Sequence, residues 1–533
     1  MELVLERHYD REVKAFKERP KNIYDLLQQN VHYRPNQIAL IYENQSITYK
    51  ELWQQVEWLS HHLVYQYGLK KGDKIAAVLG NSIEYCLLIY ACAHMGAVLV
   101  PLNTRLKEKE LEYMINHSQA KAIVVDSEFF SPINHLKNNF LINRVEHFFL
   151  IDKKKEFVNN GFYSFHSLIQ KTKDAKRIIR TSQEDDPLFI MYTSGTTGLP
   201  KGAVGSHFGI IHSLINYESA FRLTSDTRTL IAVPLFHVTG LIGQLLLMAK
   251  VGGTAVLMRR HKTNEYVDLL FDHKISFLFN VPTIYTMALT HERFKIEACE
   301  SVRCIAYGGA PMPRATMDQL RQTFNHASLH NCYGATETCS PTTIMPMNHP
   351  ESKMMSVGLP VLGAEVKVIN ERGEECPPNY PGELLIKGAM VIEGYWDNEE
   401  ANKKSFEDAF WKSGDVAAVD EDGFVYIMDR KKDMINRGGE KIFSIEIENV
   451  LHLHPKILEA AVVGVADKLF GEVVKAFIVP LKGEMILEKE VKQFVAERLA
   501  DYKVPAEVEF LKELKKNPNG KILKNLLRTS VKS

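Results

Sequence analysis

Residues 193–202 read TSGTTGLPKG: three glycines, three threonines, a serine, a proline and a lysine in ten positions. Such a stretch neither sustains a helix nor fills a core. Glycines let a backbone approach a ligand closely. The exposed N–H groups and the hydroxyls of Thr193, Ser194, Thr196 and Thr197 suit phosphate oxygens, and Lys201 adds a point charge. The loop follows a buried-looking strand and is expected to run into a helix near 206–219. It is not the GxxxxGK[ST] loop of kinases and motor ATPases, because Pro200 stands where the second glycine belongs. A plain turn has the same composition, so neighbouring chemistry must decide.

Four other stretches carry matching groups. YGATE (333–337) ends a strand with an aromatic able to stack on a base and a carboxylate able to hold a metal. SGD (413–415) sets an acid on a tight turn, suited to ribose hydroxyls. DR (429–430) opens a charged junction, and NPNGK (517–521) presents a lysine on a turn. Singly each has a plainer meaning: Glu337 as a cap, Asp415 as a turn residue, Lys521 as a solvated tail charge.

The elements that must position these groups alternate between strand-like and helix-like patterns for most of the 533 residues. Near-continuous apolar runs such as KIAAVLG (74–80), AKAIVVD (120–126), DPLFIMY (186–192), ISFLFNV (275–281) and VRCIAYG (302–308) imply parallel strands covered by helices. After about residue 355 apolar and polar residues alternate between turns, as in half-buried antiparallel strands. From 433 a small α+β segment of about 100 residues follows. The predicted fold is therefore α/β: a large domain of helix-covered parallel sheets with a small barrel-like antiparallel part, then a small α+β domain.

Composition narrows the function classes. Hydrophobic residues at 45% and charged ones at 24% are ordinary for a globular protein, and zero formal net charge argues against a nucleic-acid binder. Seven cysteines without CxxC spacing suit reduced thiols and a cytoplasmic location rather than disulfides or zinc. The charged N-terminus is not a signal peptide, the apolar run 85–101 is short for a membrane span, and VKS is not a peroxisomal tripeptide.

In combination and order the five motifs resemble the acyl-adenylate-forming, AMP-binding superfamily: acyl-CoA synthetases, aryl-CoA ligases, firefly luciferase and peptide-synthetase adenylation domains. The likeness runs from about residue 23 to 525. It implies an AMP-binding domain over 1–431, with its antiparallel part at about 355–431, and a mobile domain over 432–533 hinged at Lys432. It further implies ATP, Mg²⁺ and coenzyme A as reactants or cofactor. Thr193, Ser194, Gly195, Thr196, Thr197, Gly198 and Lys201 would wrap the phosphates, with Glu337 and Thr196 toward the metal. Tyr333 and Gly334 would lie by the adenine, with Gly309 and Ala310 also on the nucleotide. Thr336 would sit by the α-phosphate, and Asp415 and Arg430 on the ribose. Lys521 would bridge the carboxylate and the α-phosphate, and rotation about Lys432 would bring Gly438 and Gly439 to a pantetheine tunnel.

The same resemblance places His237, ordinarily a core histidine, at the border of the acyl site, with Val281, Thr283, Tyr307, Gly308, Gly309 and Ala310 forming the pocket. No charged residue stands in those stretches, so an apolar acid is expected. PLFH and GGAPMP resemble fatty-acyl and coumarate-type CoA ligases, whereas INRGGEKI with EIEN also resembles dihydroxybenzoate-AMP ligases. The latter usually carry an asparagine where Phe236–His237 stand. The expectation is a medium- or long-chain fatty acid joined to CoA. The alternatives are an aryl acid joined to CoA or to a carrier protein, and a nucleotide sensor without catalysis.

Overall fold

The structure is a computed structural model that describes residues 1–152, 161–171, 182–193, 199–296, 300–516 and 522–529. Two sheets form the body of the large domain. Among the described residues the first runs, in spatial order, Lys201–Ser206, Pro187–Thr193, Val98–Pro101, Lys74–Val78, Ala122–Asp126, His147–Ile151 and Tyr163–Ser164. The second runs Leu359–Pro360, Ser340–Ile344, Ser328–Ala335, Cys304–Gly308, Phe277–Asn280, Arg228–Ile231, Thr254–Leu257, Ile38–Tyr42 and Gln45–Thr48. Their interiors are parallel; antiparallel pairs close both edges of the second sheet and the Lys201–Ser206 edge of the first, whose Tyr163–Ser164 edge is parallel.

Strand alternation builds the layers. Ile75 and Ala77 join the central core, while Ala76 and Val78 face an outer core. In the second sheet Phe277 and Phe279 point to that same central core and Leu278 to another outer one. Two helices, Ile83–Met95 and His207–Phe221, share the central core with both sheets. Ile83–Met95 has no polar face, and all thirteen of its residues are buried. Ser82 caps its start by accepting from Tyr85 N–H, and Gly96 ends it in the left-handed region at φ +72°. Truncating a buried leucine such as Leu87 to alanine costs about 2–5 kcal/mol in a layer this closed.

The antiparallel part pairs Glu365–Ile369, Gly382–Lys387, Phe410–Val419, Phe406–Glu407 and Val425–Arg430. The small domain follows, with strands Ile435–Arg437, Glu440–Ile442, Ile457–Asp467, Gly471–Pro480 and Glu507–Phe510. Alternation again sets two faces: Ala460 and Val462 on one core, Ala461 and Val463 on the other. No helix among the described residues is long and apolar enough to cross a membrane.

After the Gly/Thr-rich loop, strand Lys201–Ser206 returns antiparallel along Pro187–Thr193, and the helix expected near 206–219 begins at His207. The charged N-terminus folds as a hairpin, Leu3–His8 against Arg11–Phe16.

Candidate active site

The strand Ser328–Ala335 delivers segment 333–337 between two polar clusters. At one end the Tyr333 hydroxyl donates to Asp415 Oδ2 at 2.6 Å, and Arg430 Nε lies 3.0 Å from Asp415 Oδ1. Asp415 and Arg430 are direct partners in the antiparallel pair of Phe410–Val419 with Val425–Arg430. Gly414 turns at φ +71°, and Ser413 Oγ accepts the Asp415 N–H at 3.0 Å while donating to Leu384 O at 2.7 Å. Asp415 is thus a buried carboxylate with both oxygens engaged. Burial and that neighbouring anion push ionisation of the Tyr333 phenol well above its ordinary range, so the ring is a neutral donor.

At the other end Glu337 sits in a single 3₁₀ turn, Thr336–Thr338, and is buried. Its Oε1 accepts from Thr193 Oγ1 and from the Tyr395 hydroxyl, each at 3.1 Å. Trp411 Nε1 stands 3.4 Å behind the same hydroxyl. The Lys201 ammonium lies 5.0 Å from the Tyr395 ring centroid, a cation–π contact beside the carboxylate. Burial lowers the Lys201 pKa, and Glu337 opposes that shift.

The turn after Glu337 is strained. Cys339 and Ser340 have φ of +46° and +99°, a region that β-substituted residues rarely occupy. Thr338 Oγ1 bonds Ala335 N–H and Ser340 O, and the Tyr217 hydroxyl reaches Ser340 Oγ at 2.6 Å. Those bonds hold a conformation that the sequence alone disfavours.

A hard divalent cation fits this donor set. Glu337 offers carboxylate oxygen, and among the described residues only Oε1 is engaged by protein donors, leaving Oε2 for a ligand.

The glycine pair lies at the carboxyl end of Cys304–Gly308, where parallel strands place ligand sites. A Cβ on Gly308 would stand 2.3 Å from Cys332 O, and Gly309 turns at φ +80° with Val281 3.6 Å from the same construction. Gly309, Ala310 and Thr283 are exposed. Tyr307, by contrast, is buried. Strand alternation sends it to the outer core, where its hydroxyl meets Met317 Sδ at 3.1 Å.

His237 precedes the short helix Val238–Gly240, its ring edge-on to Phe236 at 4.8 Å. Burial pushes its imidazole down to about 4, so it is neutral near pH 7. Lys432 is exposed on the turn between Val425–Arg430 and Ile435–Arg437. Gly438 and Gly439 turn the hairpin of Ile435–Arg437 with Glu440–Ile442 at φ +61° and +100°. Ser194, Gly195, Thr196, Thr197, Gly198 and Lys521 lie outside the described residues.

Beyond Lys521 the chain is anchored. Lys524 Nζ donates to Ser444 Oγ and pairs with Glu448, both at 2.7 Å, and Arg528 pairs with Asp433 at 3.1 Å. Lys516 pairs with Glu459. Three cations of the basic tail are thus spent on internal ion pairs. Sequence reasoning missed Tyr395, which lies between strand Gly382–Lys387 and helix Glu399–Ser405, and Trp411, near the start of Phe410–Val419.

A family model described as "AMP-binding enzyme" matches residues 27–396, and one described as "AMP-binding enzyme C-terminal domain" matches 446–521. The chain belongs to the AMP-binding enzyme family. As an AMP-binding enzyme it is an ATP-dependent, AMP-forming acid–CoA ligase that works through an acyl-adenylate. It is 33% identical to a 2-succinylbenzoate–CoA ligase of Bacillus licheniformis, over 94% of this chain and 98% of the relative. It is likewise 33% identical to a feruloyl-CoA synthase of Amycolatopsis, over 93% and 96%. Among solved structures it resembles the o-succinylbenzoate CoA synthetase of Bacillus subtilis bound to its acyl-adenylate, with TM-score 0.84 and 31% identity over 96% and 98% of the two chains. The same bacterial enzyme has been solved with ATP and magnesium ion.

Proposed function

We propose that this AMP-binding enzyme activates an aryl acid and transfers the aryl acyl group to coenzyme A. The observation that carries the reading is segment 333–337, which links the Asp415–Arg430 pair to the Glu337 carboxylate beside Thr193 and Lys201. A nucleotide, whose ribose joins its base to its polyphosphate, would lie along that segment.

A carboxylate resists nucleophiles because its own charge repels them and oxide leaves poorly. In the first step a carboxylate oxygen of the acid attacks the α-phosphorus of ATP, the bond to the bridging oxygen breaks, and pyrophosphate leaves. In the second, the CoA thiolate attacks the acyl carbon and AMP departs with the bonding electrons. Both steps bring anions together, so fixed cations and oriented donors dominate the barrier. In this reading Thr193, the loop hydroxyls and Lys201 hold the β- and γ-phosphates. Asp415 and Arg430 hold the ribose, and Tyr333 lies against the base. Glu337 and Thr196 would hold Mg²⁺, which when bound neutralises phosphate charge. Lys521 meets the reacting oxygens, and the neutral His237 borders the acyl group. Lys432 is the hinge, and Gly438 and Gly439 admit the pantetheine arm.

The aryl choice departs from the fatty-acid expectation of the motifs. It is supported by the aryl-acid ligases among the relatives. The test is carboxylate-dependent ATP–pyrophosphate exchange with succinylbenzoate, ferulate, other aryl acids and C8–C16 fatty acids, followed by mass spectrometry of thioesters formed with CoA. Exchange and thioester with aryl acids are expected. Turnover confined to fatty acids would overturn the aryl assignment, and no exchange with any acid would leave a nucleotide sensor.

A further inference from the structure

The hairpin Leu3–Phe16 precedes the residues matched by either family model, yet it grips both segments that converge on Glu337. Arg11 points its guanidinium at segment 392–396, donating from Nη1 to Ile392 O at 2.8 Å and from Nη2 to Glu393 O at 2.6 Å. The same group lies 4.4 Å from the Phe406 ring centroid. Ile392 N–H in turn donates to Glu337 O at 2.9 Å, and three residues on Tyr395 donates to the Glu337 carboxylate. Between them Gly394 O accepts from Val204 N–H at 3.1 Å, and Trp396 N–H donates to Gly202 O at 2.8 Å. Segment 392–396 therefore splices the Glu337 turn to the strand that leaves the phosphate-type loop, and Arg11 fixes the splice from outside.

The rest of the hairpin anchors Arg11 against the strand entering that loop. His8 Nδ1 lies 2.6 Å from Asp185 Oδ1, the Tyr9 hydroxyl donates to Asp185 O at 3.2 Å, and buried Arg19 joins Glu6 to Glu184. The turn itself is costly: Tyr9 and Asp10 have φ of +51° and +58°, without a glycine. Such a turn persists where surrounding bonds over-determine it, and it places Arg11 as the direct partner of His8.

We propose that Arg11 is a positioning residue for Glu337, setting the carboxylate's approach to magnesium-bound nucleotide through segment 392–396. The inference rests on the reading of Glu337 as the metal carboxylate. Arg11→Met keeps the stem over Phe406 and removes both donors. Arg11→Lys keeps the charge and one donor direction. Lys14→Ala breaks a hairpin contact to Glu365 that leads nowhere near Glu337.

Two measurements besides turnover decide it: hydrogen exchange of the peptide spanning 389–398, and calorimetric binding of a non-hydrolysable ATP analogue over a Mg²⁺ series. Arg11→Met is expected to speed exchange in that peptide. It should raise the Mg²⁺ needed for half-maximal analogue binding about three- to tenfold, the scale of a lost charged hydrogen bond acting through one relay. Analogue affinity without Mg²⁺ should not change. Arg11→Lys should fall between, and Lys14→Ala should match the parent. Glu337→Gln separates the two claims. If it leaves the Mg²⁺ dependence unchanged, the reading of Glu337 is overturned and the proposal with it. If Glu337→Gln shifts the dependence but neither Arg11 variant does, Arg11 is a scaffold residue only. Should Arg11→Met fail to fold, Arg11→Lys decides by the same readings.

Discussion

Tyr333 gives its only hydroxyl proton to Asp415, 82 residues away, and Arg430 takes the carboxylate's other oxygen. The acid is therefore oriented before any nucleotide arrives. Tyr333→Phe removes one donor and leaves the Arg430 pair, so nucleotide affinity should fall about three- to tenfold with little loss of stability, a charged hydrogen bond being worth about 1.5–3 kcal/mol before water replaces it. Asp415→Ala removes the acceptor that the Tyr333 hydroxyl and the exposed Arg430 share. It should cost about 1–3 kcal/mol of stability besides nucleotide affinity. Calorimetric AMP titration with thermal melts checks both, and equal effects of the two variants would contradict the arrangement.

Gly334 is fixed by sterics rather than by ligand contact. A Cβ there would stand 1.6 Å from Ser340 O, a backbone atom that cannot swing aside because Ser340 is itself held at φ +99° by Thr338 and Tyr217. Gly334→Ala should destabilise the protein by about 3 kcal/mol or more. It should also disorder the Glu337 turn, so that exchange activity falls below the level that melting temperature alone explains. Chemical denaturation and ATP–pyrophosphate exchange on the same preparation measure the two effects.

The interior strands were legible because both faces of each are buried, so apolar runs mark them without ambiguity. Strand Lys201–Ser206 was not, since KGAVGS carries small residues. A Cβ at Gly205 would lie 2.1 Å from the Phe189 ring, a fact set by the neighbouring strand. The N-terminal hairpin was hidden for a different reason. Its strands are charged, and its turn is Tyr9–Asp10 rather than an Asn-Gly pair. Motif order found Glu337, Asp415 and Arg430, but Tyr395 acts on a carboxylate 58 residues away and Arg11 on a carbonyl 381 residues away, which no local pattern encodes.

His212 makes stability fall on mild acidification. It is buried in the helix His207–Phe221, its Nε2 accepts Phe16 N–H at 3.0 Å, and its Nδ1 faces Phe208 O at 2.8 Å. Burial pushes its pKa down to about 4, and protonating Nε2 would set donor against donor. The folded value lies below the unfolded one, so the contribution is full above about pH 6.5 and is lost as pH falls toward 4. Across that window the slope should be ~1.4 kcal/mol per pH unit. Glu6, lowered to about 2 chiefly by its bond to Arg19, loses its share only below about pH 4.5, which separates the two. His237, also pushed down to about 4, adds a slope of the same sign over the same window. Urea denaturation from pH 7.5 to 4.5 should show the combined slope, and His212→Gln should remove about half of it while lowering stability at pH 7.5.

Gly439 allows the two half-reactions to be separated. Its φ of +100° disfavours any side chain, yet a Cβ there meets nothing within 4 Å, so substitution strains backbone without a clash. Its N–H is held by Asn436 Oδ1 at 3.0 Å, and Gly438 N–H by Phe470 O at 2.8 Å, which keeps the hairpin tip in one shape. Gly439→Ala should therefore cost about 1–2 kcal/mol locally and leave the large domain's site untouched. If the tip approaches the acyl-adenylate only for thioester formation, ATP–pyrophosphate exchange will stay within about twofold of the parent. CoA-dependent turnover will fall about tenfold or more, through misplacement of the thiol. Gly439→Leu should deepen the second effect and not the first. Parallel loss of both half-reactions would mean that the tip also serves adenylation, and an unchanged thioester rate would remove Gly439 from the path of the thiol.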